Sequence, residues 1–99
     1  MRTYNEIREI LKSHLPELKS KYGIKEIGVF GSWIRGEQKA GSDVDILVSF
    51  EEDARMDLIR FVELEDHLSE ILGVKVDLVM KSALKPMIGK QILKEVIYL

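Results

Sequence analysis

The sequence predicts an α/β (α+β) fold: a small mixed sheet of three to four strands covered by helices, in one domain spanning residues 1–99. Three observations predict it. Segments with apolar residues at helical spacing alternate with short, β-branched-rich apolar runs. Gly23 and Gly73 stand where the long helical patterns stop. The resulting order, α-β-α-β-α-β-α, is that of a sheet whose crossovers lie on its faces.

The first helix begins near Thr3, where Thr3-x-x-Glu6 has the form of a capping box. Ile7, Ile10, Leu11, Leu15 and Leu18 make its buried stripe, Pro16 predicts a kink or restart, and Gly23 is placed to cap its end. Ile24–Phe30 reads as a buried strand, and Gly31-Ser32 turns into a short helix ending near Gly36. After a polar loop over 37–42, Val44–Phe50 reads as a second strand, with Val44, Ile46, Val48 and Phe50 on one face. Residues 55–72 form the clearest helix, with Leu58, Ile59, Phe61, Val62, Leu68, Ile71 and Leu72 on its apolar side. A third strand covers 74–79, and Pro86 suits the first turn of a last helix whose stripe is Met87, Ile88, Ile92, Leu93 and Val96. Residues 96–99 fit helix or strand equally.

Composition narrows the function. A net charge of −2 argues against binding nucleic acid directly through bulk basicity. The absence of cysteine removes disulfides and thiolate metal sites, in keeping with the cytoplasm. The opening residues carry acids and read as no signal peptide, and no apolar run has the length of a membrane span.

The stretch GVFGSWIRGEQKAGSDVDILVSF carries the chemistry. Asp43 and Asp45, at i and i+2 of a strand, share a face, with Cα atoms roughly 6.6–6.8 Å apart. A third acid, Asp77, lies in the next strand. Carboxylates so arranged can hold divalent cations. A solvated strand face would also account for Asp43, but less well for Asp77, between Val76 and Leu78 in a setting that disfavours Asp. Gly31-Ser32 reads either as a plain turn with Ser32 as helix N-cap or as a phosphate grip of backbone N–H groups and a hydroxyl. It is neither a Walker loop nor a dinucleotide fingerprint. Arg35, three residues after Ser32, shares its helical face and adds charge to such a grip, or is an ordinary surface arginine. Trp33 reads as packing, His14 and His67 as boundary residues, and Lys39 and Lys75 as solvated.

The pattern Gly31-Ser32-x10-Asp43-x-Asp45, followed by Asp77, resembles the minimal nucleotidyltransferase family of the DNA polymerase β-like nucleotidyltransferase superfamily. The likeness covers the leading helix, the FGSWIRG turn, the SDVDILV and VDLV strands and the ALKP segment, so residues 1–99 would be one minimal nucleotidyltransferase domain. It implies that Ser32, in a nucleotide-binding turn with Gly31 and Arg35, contacts the β- and γ-phosphates, and that Asp43 and Asp45 bind two Mg²⁺ ions. Asp77 would bind one ion and orient or deprotonate an acceptor hydroxyl. It further implies the antitoxin half of a HEPN–MNT toxin–antitoxin pair, moving AMP from ATP to a tyrosine hydroxyl of the HEPN-type toxin. The partners expected are ATP and that toxin, with neither direct nucleic acid nor membrane, and with room for a homo-oligomer. The alternatives are a non-catalytic antitoxin that binds its partner and a small-molecule nucleotidyltransferase subunit.

Overall fold

The computed structural model describes residues 2–99. Helix α1 (Tyr4–Tyr22) opens on the expected reciprocal cap: Glu6 N–H donates to Thr3 Oγ1 at 3.2 Å, and Thr3 N–H donates to Glu6 Oε1 at 3.3 Å. It then runs unbroken through Pro16, contrary to the expected restart. The proline ring faces solvent, while Ile7 and Leu11 before it and Leu18 and Tyr22 after it are buried in one core. Burial of such side chains is worth about 1.5–3 kcal/mol each, enough to outweigh the roughly 3 kcal/mol cost of a helix proline.

Strands β1 (Ile24–Phe30) and β2 (Val44–Phe50) pair antiparallel, with the four-residue helix α2 (Ser32–Arg35) and a polar loop between them. Helix α3 (Leu58–Leu72) carries the chain across to β3 (Val76–Met80), which lies parallel to β2. Helix α4 (Pro86–Glu95) follows, and the C-terminal residues resolve as a strand, β4 (Ile97–Tyr98), antiparallel to β1. The sheet order is β3-β2-β1-β4.

Period-two alternation splits the sheet into two chemically different faces. Ile27 and Val29, Val44, Ile46 and Val48, and Val76 and Leu78 form the core face, packed with α1 and α3. The opposite face carries Glu26, Gly28 and Phe30 of β1, Asp45, Leu47 and Ser49 of β2, and Asp77 and Val79 of β3. Part of it is roofed by the C-terminal segment. A Cβ on Gly28 would stand 2.7 Å from Val96 Cγ2, so only glycine lets that segment approach β1 so closely.

Two helical stripes differ from expectation. α3 begins at Leu58 rather than residue 55, because Asp57 caps it by accepting from Arg60 N–H at 2.8 Å. Its buried residues are Leu64, Leu68 and Leu72, whereas Leu58 and Ile59 are 78% and 72% exposed. The first turn instead borders an open cleft, which Leu58 and Phe61 line together with Phe50, Leu78 and Met80. In α4, Met87 and Ile88 are likewise exposed, and only Gly89 is buried. The third strand starts at Val76 instead of residue 74, since Val74 and Lys75 belong to the turn after α3. Among the described residues no helix is long and apolar enough to cross a membrane.

Candidate active site

The site begins where β1 ends. Gly31 has φ 83° and ψ −154°, a conformation that only glycine adopts without strain. A Cβ at this position would also fall on the Asp45 carboxylate, so the turn and the acid are packed backbone against side chain. Gly31, not Ser32, is the N-cap of α2, and no side chain caps it. The reading of Ser32 as a cap is thereby corrected: its hydroxyl makes no capping bond and remains available to a ligand. In α2, Ile34 N–H and Arg35 N–H both bond to Gly31 C=O, while Ser32 and Trp33, as the first two helical residues, offer N–H groups that the helix itself leaves free.

Across the sheet, Asp45 of β2 lies in direct parallel register with Asp77 of β3, and Asp43 sits two residues before Asp45. Asp45 and Asp77 therefore rise from the face opposite the core, and Asp43, just before the first strand residue Val44, is close enough for its charge to act on Asp45. Their crowding shows in the proton affinity of Asp45, whose pKa is pushed up to about 6 by burial and then by the charges of Asp77 and Asp43. Arg35 opposes that rise and Glu95 adds to it. The side chains do not close into a finished cluster. Among the described residues no three acidic, histidine or cysteine side chains gather closely enough to hold a metal ion. Asp77, on an edge strand, is exposed. The donor set still fits a hard divalent cation: three carboxylates whose charges act on one another, one of them held partly buried beside the other two.

Arg35 does more than lend charge. Its Nε donates to Glu37 Oε1 at 2.5 Å and its Nη1 to Glu95 Oε1 at 2.6 Å, and these bonds raise its pKa. Glu95 Oε2 accepts from Gly31 N–H at 2.7 Å. Burial raises the pKa of Glu95, but the bonds from Arg35 and Gly31 outweigh it, leaving the carboxyl below its ordinary range. Phe30, Gly31, Arg35, Asp45 and Glu95, with Ile88 and Ile92 of α4, line a cavity of about 590 Å³. Sequence reasoning missed Glu95. The one signal for it is its place in the last turn of α4, where the helix dipole disfavours an acid.

Trp33 is buried in the core, as expected. His14 Nδ1 bonds Ile10 C=O at 2.9 Å within α1, and His67 stands against the Tyr22 ring. Lys39 and Lys75 are exposed and line a separate cleft with Arg2 and Trp33.

The candidate site is thus a glycine turn and short helix packed against Asp45, with Asp77 in register beside that acid on the mixed sheet. The family model described as a nucleotidyltransferase domain matches residues 11–99, and the chain belongs to that family and is a nucleotidyltransferase. It is 55% identical over 98 residues to the protein adenylyltransferase MntA of Thermococcus cleftensis, covering 99% of this chain and 97% of that one. A solved minimal nucleotidyltransferase structure superposes with a TM-score of 0.82 at 36% identity, over 99% of this chain and 97% of that chain. A toxin–antitoxin crystal structure with AMP-PNP superposes with a TM-score of 0.68 at 28% identity, over 95% and 69% of the two chains.

Proposed function

We propose that this nucleotidyltransferase works in the cytoplasm as a Mg²⁺-dependent protein adenylyltransferase, moving AMP from ATP to a tyrosine hydroxyl of a HEPN-type toxin partner. The observation that carries the reading is the packing of Gly31 on Asp45, which sets the turn with the open Ser32 and Trp33 N–H groups directly against that acid. The likeness to MntA and to a toxin–antitoxin complex with AMP-PNP supports the substrate and partner classes. Asp43, Asp45 and Asp77 would hold two Mg²⁺ ions, which supply charge neutralisation at the triphosphate and acidify the attacking hydroxyl. The Ser32 hydroxyl and the Ser32 and Trp33 N–H groups grip the β- and γ-phosphates, beside Gly31. Arg35 adds positive charge. Asp77, exposed at the sheet edge, is reachable by an incoming protein and takes the proton of the acceptor hydroxyl. The acceptor oxygen bonds to the α-phosphorus as the bond to pyrophosphate breaks. A tyrosine suits this chemistry because its pKa near 10 makes it easier to ionise than an aliphatic alcohol.

The test is incubation of the protein with ATP, Mg²⁺ and a HEPN-type partner protein, followed by intact-mass spectrometry of the partner. Addition of one or more AMP groups is expected, and it is lost with Asp43→Asn/Asp45→Asn. Inhibition of the partner without a mass change, equally strong with the double variant, would establish the non-catalytic binding module instead.

A further inference from the structure

An acid in the last turn of a helix faces the negative end of the helix dipole and costs stability unless something outside the helix repays it. Glu95 is such an acid, and its partners lie sixty or more residues away. Its carboxylate spans two donors with its two oxygens, Gly31 N–H at 2.7 Å and Arg35 Nη1 at 2.6 Å. Both belong to the turn that borders the acid face. Two residues further on, β4 pairs with β1, Ile97 opposite Val29 and Tyr98 opposite Gly28, and Leu99 N–H donates to Ile27 C=O at 2.9 Å. The backbone that presents Glu95 is thus tied to the strand that delivers Gly31.

Which donor Glu95 takes decides what it does. Gly31 N–H precedes the short helix, so binding it leaves the Ser32 and Trp33 N–H groups open to a phosphate. A carboxylate acting as an internal phosphate mimic would sit on those two instead. Gly31 in turn packs against Asp45, so whatever fixes the turn also limits where that carboxylate can go. Pairing with Arg35 keeps the added negative charge from facing Asp45 alone.

We infer that Glu95 is a positioning residue of the nucleotide site, clamping Gly31 N–H and Arg35 so that the phosphate-binding turn and Asp45 are held in register. The inference rests on the site reading given under the proposed function. It acts through the turn and touches no reacting atom. A carboxamide at this position keeps an oxygen that can accept from Gly31 N–H. An aspartate keeps the charge but is one methylene too short to reach both donors.

The test is calorimetric titration of the full chain with AMP-PNP in Mg²⁺, with the melting temperature of each protein measured in parallel. Glu95→Ala should weaken binding about ten-fold, the scale of one lost charge-assisted hydrogen bond. Glu95→Gln should stay within about three-fold of the parent protein, and Glu95→Asp should resemble alanine. Equal or tighter binding by Glu95→Ala would overturn the inference, tighter binding marking Glu95 as a competitor of phosphate. Retention by Glu95→Asp with loss in Glu95→Gln would overturn it in favour of charge alone. Affinity that merely follows melting temperature across the variants would reduce Glu95 to a structural strut and overturn it too. If Glu95→Ala does not fold, the glutamine and aspartate variants decide between the same outcomes. A parent protein that fails to bind AMP-PNP would sink the site reading itself, which is a distinguishable result.

Discussion

Asp45 is pressed by Gly31, stands in register with Asp77 and follows Asp43 by two residues, and its pKa of about 6 reports that crowding. A carboxyl whose folded pKa lies above its unfolded value binds more protons in the folded state, so stability falls as pH rises between the two values. The window runs from about 4, the unfolded value, to about 6, and the loss persists above it. After solvent screening of a half-exposed group, the cost is about 1–2 kcal/mol. Asp45→Asn should therefore flatten the pH dependence of urea unfolding, gaining about 1 kcal/mol on the parent protein between pH 4 and pH 7. Parallel curves would show that Asp45 is not the source. Ser32 offers a complementary prediction at the same scale. Since it is not the N-cap, Ser32→Ala should change stability by less than about 0.5 kcal/mol while weakening AMP-PNP binding, measured by melting and calorimetry on the same sample. A stability loss in the range of about 0.5–2 kcal/mol, with binding intact, would restore the cap reading.

Element by element, strand identity was legible because β1 and β2 are short apolar runs, largely buried on both faces and bounded by glycine or polar turns, so composition and punctuation agree. Helix existence was equally legible, but which apolar residues a helix buries was not. The pattern in α3 treats Leu58, Ile59 and Leu68 alike, whereas burial depends on which positions other elements cover, a tertiary fact absent from local spacing. Leu64, passed over in the sequence, is fully buried. This separates two substitutions of the same chemistry. Leu68→Ala should cost about 2–5 kcal/mol, since it opens a cavity in the core. Leu58→Ala, on the exposed first turn, should stay within about 0.5 kcal/mol. Chemical denaturation of the two variants distinguishes them, and equal losses would mean that the first turn of α3 is packed against the domain after all.

At the scale of the whole molecule, the candidate site is assembled from pieces of different legibility. Gly31, Ser32, Asp43 and Asp45 fall within one short stretch, and Asp77 joins them because parallel pairing of β2 and β3 preserves the alternation of both strands. Glu95 comes from the far end of the chain, and its contact with Gly31 depends on β4 closing against β1, which no local pattern encodes. The assembled site holds three acids whose charges act on one another, and a triphosphate brings further negative charge to it. Neither metal nor nucleotide should therefore bind strongly without the other. Ligand that binds only the folded state adds about 2.7 kcal/mol of stability at a hundred times its dissociation constant. In a domain of this size that corresponds to a rise in melting temperature of roughly 10–20 °C. The full rise is expected only with Mg²⁺ and ATP together, with much smaller shifts from either alone, and Asp43→Asn/Asp45→Asn should abolish the joint effect. Differential scanning fluorimetry across the four ligand conditions measures it. A rise with ATP in EDTA equal to that with Mg²⁺ present would show that the nucleotide is held by the turn alone, and the acids would then need another role.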